Sequence, residues 1–279
     1  MKKIGIIGAG ISGLYIANLF KKNPKYQVSI FDKKSSLNID EGYGVQLSVN
    51  SIKFLNEIGF NKLEKNEKVI GLARNINDLQ FEAIQCDVSD DDSINSSFKE
   101  LSKTWSNFDG LVHSIGFAPS DQLEGNFVDV TSREGFKVAH DISSYSFTAL
   151  AKAAKPMLND SSALLTLTYL GAIQTIPNYN VMGLAKASLE ANTRFLAASM
   201  GRDNIRVNAI CPVVTVTPMF DPEAMDKLKS GISEKLKANV PMKRFANVME
   251  QVSTMLWLCS NEASFITGQA ISVDGGLTA

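Results

Sequence analysis

Histidine and cysteine are scarce in this chain of 279 residues. Only two histidines occur, His113 and His140, too few to build a histidine-rich metal centre. Cys86, Cys211 and Cys259 are scattered and odd in number, which argues against a disulfide framework and against a thiolate metal site. No uninterrupted apolar run reaches the roughly 18 residues expected of a membrane span. The opening MKKIGIIGAG begins like a lysine-led leader, but glycines break its apolar run and a polar helical pattern follows. Basic runs are missing and the formal net charge is −1, which argues against nucleic acid as the main partner. Neither an internal repeat nor a low-complexity linker interrupts the chain. The cysteine usage suggests a reducing, cytoplasmic setting.

What is present is an ordinary globular composition, 44% hydrophobic and 20% charged. Strand-like runs alternate with helical patterns from end to end. KIGIIGAG, YQVSIFDKK, FEAIQCDV, DGLVHSIG, SALLTLTYL, IRVNAICP and AISV read as strands. SINSSFKELSKTW, HDISSYSFTALAKAAKPML, GLAKASLEANTRFLAASM and VMEQVSTMLWLCSN carry apolar residues at helical spacing. The alternation predicts a doubly wound parallel sheet covered on both faces, a three-layer Rossmann-type α/β fold. A single domain over 1–279 is expected: a dinucleotide-binding βαβ unit at 1–70, a catalytic core at 75–210, and a substrate loop with the closing helix and strand at 211–279. Residues 33–78 are long for one crossover and predict an elaboration.

Gly8, Gly10 and Gly13 form G-x-G-x-x-G between a strand and a helix, and Asp32 closes the next strand. The first two glycines permit a tight turn and close approach of a pyrophosphate, and the third allows helix–strand packing. The helix N-terminus offers N–H donors to phosphate oxygens. Asp32 suits a ribose hydroxyl and repels a 2′-phosphate, favouring NADH. Lys33 and Lys34 could pair with such a phosphate and leave NADPH open.

The stretch YLGAIQTIPNYNVMGLAK, 169–186, sets Tyr179 seven residues before Lys186. Seven helical steps of about 100° fall about 20° short of two turns, so the two share a face if Tyr179 begins a helix. An ammonium near a phenol, whose ordinary pKa is about 10, favours its use as a hydrogen-bond donor or acid. The plainer alternative is an aromatic core residue and a surface lysine. His113 reads as a core histidine, His140 as structural, and Asp90, Asp91 and Asp92 as a solvated helix start.

With these residues in view, 75–210 closely resembles the enoyl-acyl-carrier-protein reductases, divergent short-chain dehydrogenases of fatty-acid synthesis. FDGLVHSIGFAPSDQLEG, REGFKVAHDISSYSF, ALLTLTYLGA and IPNYNVMGLAKASLEANTRFLA carry the resemblance. It implies an NADH-dependent reduction of an enoyl thioester borne on acyl-carrier protein or CoA. Tyr179 would hold the thioester carbonyl, Lys186 the nicotinamide ribose, and Tyr169 would line the pocket. Ser114, Ile115 and Gly116 would line the cofactor crevice, Ala118 the substrate mouth, and Asp87 and Val88 the adenine. Assembly as a homotetramer through the helices of HDISSYSFTALAKAA and YNVMGLAKASLEANTRFLAASM is implied too.

Ordinary short-chain dehydrogenases place lysine four residues after their tyrosine, and Met182 stands there instead. Residues 1 to about 65 resemble flavin-dependent hydroxylases, although FAD is disfavoured because their second flavin-contacting motif is missing. Residues from about 205 resemble ordinary short-chain dehydrogenases, which would place Thr215 near the nicotinamide carboxamide and Thr217 near the pyrophosphate. Carbonyl or alcohol oxidoreduction and an inactive nucleotide-binding mosaic are the alternative readings.

Overall fold

The computed structural model describes residues 2–7, 26–32, 70–73, 82–212, 215 and 232–279. Eight strands of these residues form one sheet: β1 Lys2–Ile7, β2 Tyr26–Asp32, β3 Ile70–Ala73, β4 Glu82–Gln85, β5 Phe108–His113, β6 Leu158–Leu167, β7 Arg206–Pro212 and β8 Ala270–Val273. The order is β2-β4-β3-β1-β5-β6-β7-β8, with β2 also pairing with β1 and β3. Neighbours run parallel throughout. After β1 the chain goes out to β2, then to β3 and β4, and returns to β5 on the opposite edge of β1. That reversal opens a crevice at the carboxyl ends of β1 and β5, where such sheets take ligands.

Among the described residues the helices are α1 Asp91–Leu101, α2 Phe127–Val130, α3 Arg133–His140, α4 Ser146–Ala154, α5 Asn180–Met200, α6 Ile232–Asn239 and α7 Val248–Cys259. Asp90 caps α1 by accepting from Asp92 N and Ser93 N, so the acidic trio is a helix start. Ile94, Ser97, Phe98 and Leu101 then recur at helical spacing and face the core. Phe108, Phe147 and Ile94 are the largest fully buried side chains among the described residues and join α1 and α4 to the sheet. Each such burial contributes about 1.5–3 kcal/mol relative to exposure.

The sequence pattern predicts one continuous helix from about His140 into α4, but a π-helical turn occupies Asp141–Tyr145. Serines explain the break, because their hydroxyls compete for backbone groups. Ser146 Oγ donates to Ile142 O at 2.6 Å, and Ser143 Oγ leaves the helix to hold Phe117. β3 was not evident from the sequence, and most of the 33–78 elaboration lies outside the described residues.

Candidate active site

α5 starts with Tyr179 at its N-cap, between two asparagines in the left-handed region, Asn178 at φ 58° and Asn180 at φ 30°. Asparagine is among the few residues that tolerate this conformation, which turns the chain sharply into the helix. Asn180 Nδ2 donates to Leu123 O at 2.9 Å and Gly125 O at 3.2 Å, tying the helix start to the loop before α2. Tyr169, two residues after β6, meets the Tyr179 ring edge-on with centroids 4.9 Å apart. Gly171 makes that placement sterically accessible, since a Cβ there would collide with the Tyr179 ring. A Cβ on Gly183 would stand 2.8 Å from Gly171 O, so two glycines bring α5 onto this segment.

Lys186 is 7% exposed and points into the molecule. Its Nζ donates to Leu167 O at 2.8 Å and Ile115 O at 3.3 Å, which leaves one of its three protons for a ligand. Burial lowers its pKa to about 8, opposed by Cys211 and Glu190. Burial also raises Tyr179 far above the ordinary phenol range, reinforced by Tyr169 and Cys211. Tyr179 is therefore a neutral hydrogen-bond donor at any physiological pH.

Of the other sequence-predicted residues, Ile115, Gly116 and Ala118 lie beside Lys186 and Tyr179. Ser114, Ile115 and Gly116 follow β5 at its carboxyl end, and a Cβ on Gly116 would lie 3.4 Å from both Lys186 Nζ and Met182 Cε. Ser143 Oγ accepts from Phe117 N at 2.9 Å and lies 3.0 Å from Phe117 O, holding that loop in place. Ala118 and Met182 are buried together in a small cluster on which Tyr179 packs. Asp32 ends β2 opposite Ala73 and Gln85, at the carboxyl edge of the sheet. Asp87 Oδ1 accepts from Ser89 N at 2.9 Å, just beyond β4, while Val88 belongs to the core. Gly8, Gly10, Gly13 and Thr217 lie outside the described residues.

His113 is fully buried, with Nδ1 2.8 Å from Thr166 Oγ1 and Nε2 2.9 Å from Ser146 Oγ. Burial, with the Lys186 charge, lowers its pKa to about 3, so it is a neutral core residue. His140 sits on Phe136 with rings stacked at 4.0 Å.

The sequence pattern of the Enoyl-(Acyl carrier protein) reductase family matches residues 58–278, further at both ends than the 75–210 resemblance. The chain belongs to this family. Residues 6–39 separately match the NAD(P)-binding Rossmann-like domain. The NADH-dependent enoyl-acyl-carrier-protein reductase of Escherichia coli is 51% identical over 203 residues, covering 70% of this chain and 73% of the relative. That of Haemophilus influenzae is 48% identical over 194 residues, covering 69% and 72%. Among solved structures, the Bacillus cereus reductase with NADP+ and an indole naphthyridinone aligns with a TM-score of 0.75 at 31% identity. That alignment covers 99% of this chain and 95% of the other. The Anaplasma phagocytophilum reductase in complex with NAD aligns with a TM-score of 0.72 at 27% identity, covering 99% and 92%.

As an enoyl-acyl-carrier-protein reductase, the chain uses a nicotinamide cofactor, and its residues suit one. Thr215 Oγ1 is buried with no hydrogen-bond partner among the described residues, and Lys186 keeps a spare proton close by the β5 carboxyl end. A buried hydroxyl without a partner is costly unless a ligand satisfies it. Sequence reasoning missed Ser143, Gly171, Thr168 and Glu190 in this reductase. Ser143, Thr168 and Glu190 act through contacts between segments distant in sequence, and Gly171 through the nearby Tyr179 ring, none of which periodicity marks.

Proposed function

We propose that this chain reduces the carbon–carbon double bond of an enoyl thioester carried on acyl-carrier protein, with NADH as reductant. The observation that carries the reading is the Tyr179–Lys186 pair on one helix, beside a buried methionine where ordinary short-chain dehydrogenases have their tyrosine. Bound NADH supplies the hydride that reaches the β-carbon. Tyr179, neutral because it is buried, donates to the thioester carbonyl and strengthens that bond as negative charge moves onto the enolate oxygen. The α-carbon then takes a proton from solvent water as the enolate collapses, which completes the addition of hydride and proton across the double bond.

Lys186 would use its remaining proton on the nicotinamide ribose and lend positive potential to the same pocket. Tyr169 stands against Tyr179 and limits where the acyl group can lie. Ser114, Ile115, Gly116 and Thr215 would line the nicotinamide half of the crevice, and Gly8, Gly10, Gly13 and Thr217 its pyrophosphate. Asp32 would take the adenosine ribose, Asp87 and Val88 the adenine, and Ala118 the substrate mouth. We also read the chain as a cytoplasmic homotetramer. A groove of about 600 Å³ between α3, the π turn and α5, with Phe195 79% exposed beside it, supports contact between copies there.

The test is NADH consumption with a crotonyl thioester beside an acetoacetyl thioester. Turnover of the first that collapses in Tyr179→Phe and Lys186→Ala supports enoyl reduction. Turnover of the second alone would favour carbonyl reduction.

A further inference from the structure

Three consecutive residues leaving β6 are each fastened to α5. Leu167 O accepts from Lys186 Nζ at 2.8 Å, Thr168 Oγ1 donates to Glu190 Oε1 at 2.7 Å, and the Tyr169 ring lies edge-on to Tyr179. Thr168 is 3% exposed, and its N–H bonds Ile210 O at 2.9 Å, so the middle residue is fixed on both sides. Glu190 follows Lys186 by four residues, which puts the carboxylate and the ammonium on the same helical face one turn apart.

The surroundings of Lys186 give that carboxylate a second consequence. From β5, His113 is neutral. From β7, the Cys211 thiol is pushed up to about 12 by burial, with Glu190 and Asp274 adding to it, so it is uncharged at neutral pH. Tyr169 and Tyr179 are both raised by burial and uncharged as well. Of the two side chains whose charge acts on Lys186 among the described residues, Cys211 and Glu190, Glu190 is the carboxylate.

We propose that Glu190, anchored by Thr168, is a positioning residue of the reductase: it locks the Leu167–Tyr169 segment onto α5 and keeps the buried Lys186 cationic for the cofactor. The proposal rests on the enoyl reductase reading for what Lys186 binds, but not for the clamp itself. A carboxylate one turn from a buried ammonium favours the protonated amine, and Thr168 holds it there without consuming the charge.

Two substitutions separate charge from clamp. Glu190→Gln keeps an oxygen for Thr168 and removes the charge; Thr168→Val removes the bond and keeps the charge. NADH affinity followed by fluorescence across alkaline pH should weaken as Lys186 loses its proton. In Glu190→Gln that weakening should begin about half to one pH unit earlier, giving about three- to tenfold weaker binding near pH 8.5 and near-equal binding at pH 6.5. Glu190→Asp should restore the midpoint. Thr168→Val should lower kcat without moving the midpoint as far.

The Lys186 titration can also be followed without ligand, by NMR of isotope-labelled lysine assigned through Lys186→Arg. The same earlier midpoint is expected there. Coincident midpoints in Glu190→Gln and the unsubstituted protein would overturn the proposal. Absence of crotonyl thioester turnover in the unsubstituted protein would instead overturn the reading of the reaction, while the NMR titration still decides the clamp.

Discussion

Acidification should unfold this protein earlier than its carboxylates alone would dictate, because of His113. The ring is 0% exposed and packs on Phe147 with centroids 5.1 Å apart. Thr166 Oγ1 lies nearer to Nδ1, at 2.8 Å, than to His113 O, at 3.3 Å, and Ser146 gives its proton to Ile142 O. The consistent assignment is Thr166 donating to Nδ1 and Nε2–H donating to Ser146, a neutral tautomer with both nitrogens satisfied. Protonation would break the first of these bonds and leave a charge in the core.

The sign follows from the two states. An unfolded histidine titrates near about 6.5, whereas burial and the nearby Lys186 hold the folded one at about 3. Above pH 6.5 both states are neutral and this residue adds no pH dependence. As pH falls below 6.5 the unfolded chain takes a proton that the folded chain refuses, so stability declines until about pH 3. At about 1.4 kcal/mol per pH unit, the 1.5 units between 6.5 and 5 remove roughly 2 kcal/mol. Urea unfolding at pH 8 and pH 5 measures this directly. His113→Asn should be less stable by about 1–3 kcal/mol at pH 8, but should lose roughly 2 kcal/mol less on acidification, so that the two proteins come within about 1 kcal/mol of each other at pH 5. An equal acid-induced loss in both proteins would refute the reasoning.

Other consequences follow from single contacts. Gly171→Ala should displace the Tyr179 ring, cutting kcat by at least about tenfold while NADH affinity stays within about twofold; steady-state kinetics beside a binding titration would show it. Arg206 donates to Leu258 O at 2.5 Å and Ser260 O at 3.1 Å at the end of α7, so Arg206→Met should cost about 2–4 kcal/mol in urea unfolding. Phe195→Glu should reduce the molecular mass seen by light scattering, because it places a charge on the exposed face of α5.

The sheet was legible in the sequence because buried central strands read as short apolar runs, and β5 and β7 are buried almost throughout. That Tyr179 and Lys186 share one helix was legible because residues seven apart fall on nearly one face, while the roles expected of them came from the family resemblance. Met182 was informative for the same reason: it occupies the expected tyrosine position and is buried instead. The π turn was not legible, since it depends on Ser143 finding Phe117, 26 residues away in the chain. Nor was the Thr168–Glu190 bond, which spans 22 residues and leaves no periodic trace. Gly171 looked like any loop glycine until the Tyr179 ring was seen to fill the space its missing Cβ leaves. The glycine turn at Gly8, Gly10 and Gly13 was read entirely from sequence and stands outside the described residues.

Hydride should reach the β-carbon of an enoyl thioester held by Tyr179. NADH carrying deuterium at the transferred position, incubated with the protein and a crotonyl thioester, tests it most directly. A butyryl thioester with one deuterium on the β-carbon is expected, and its loss in Tyr179→Phe. An unreduced crotonyl thioester in the presence of bound NADH, or deuterium found only on a carbinol carbon when a ketone is supplied, would contradict it.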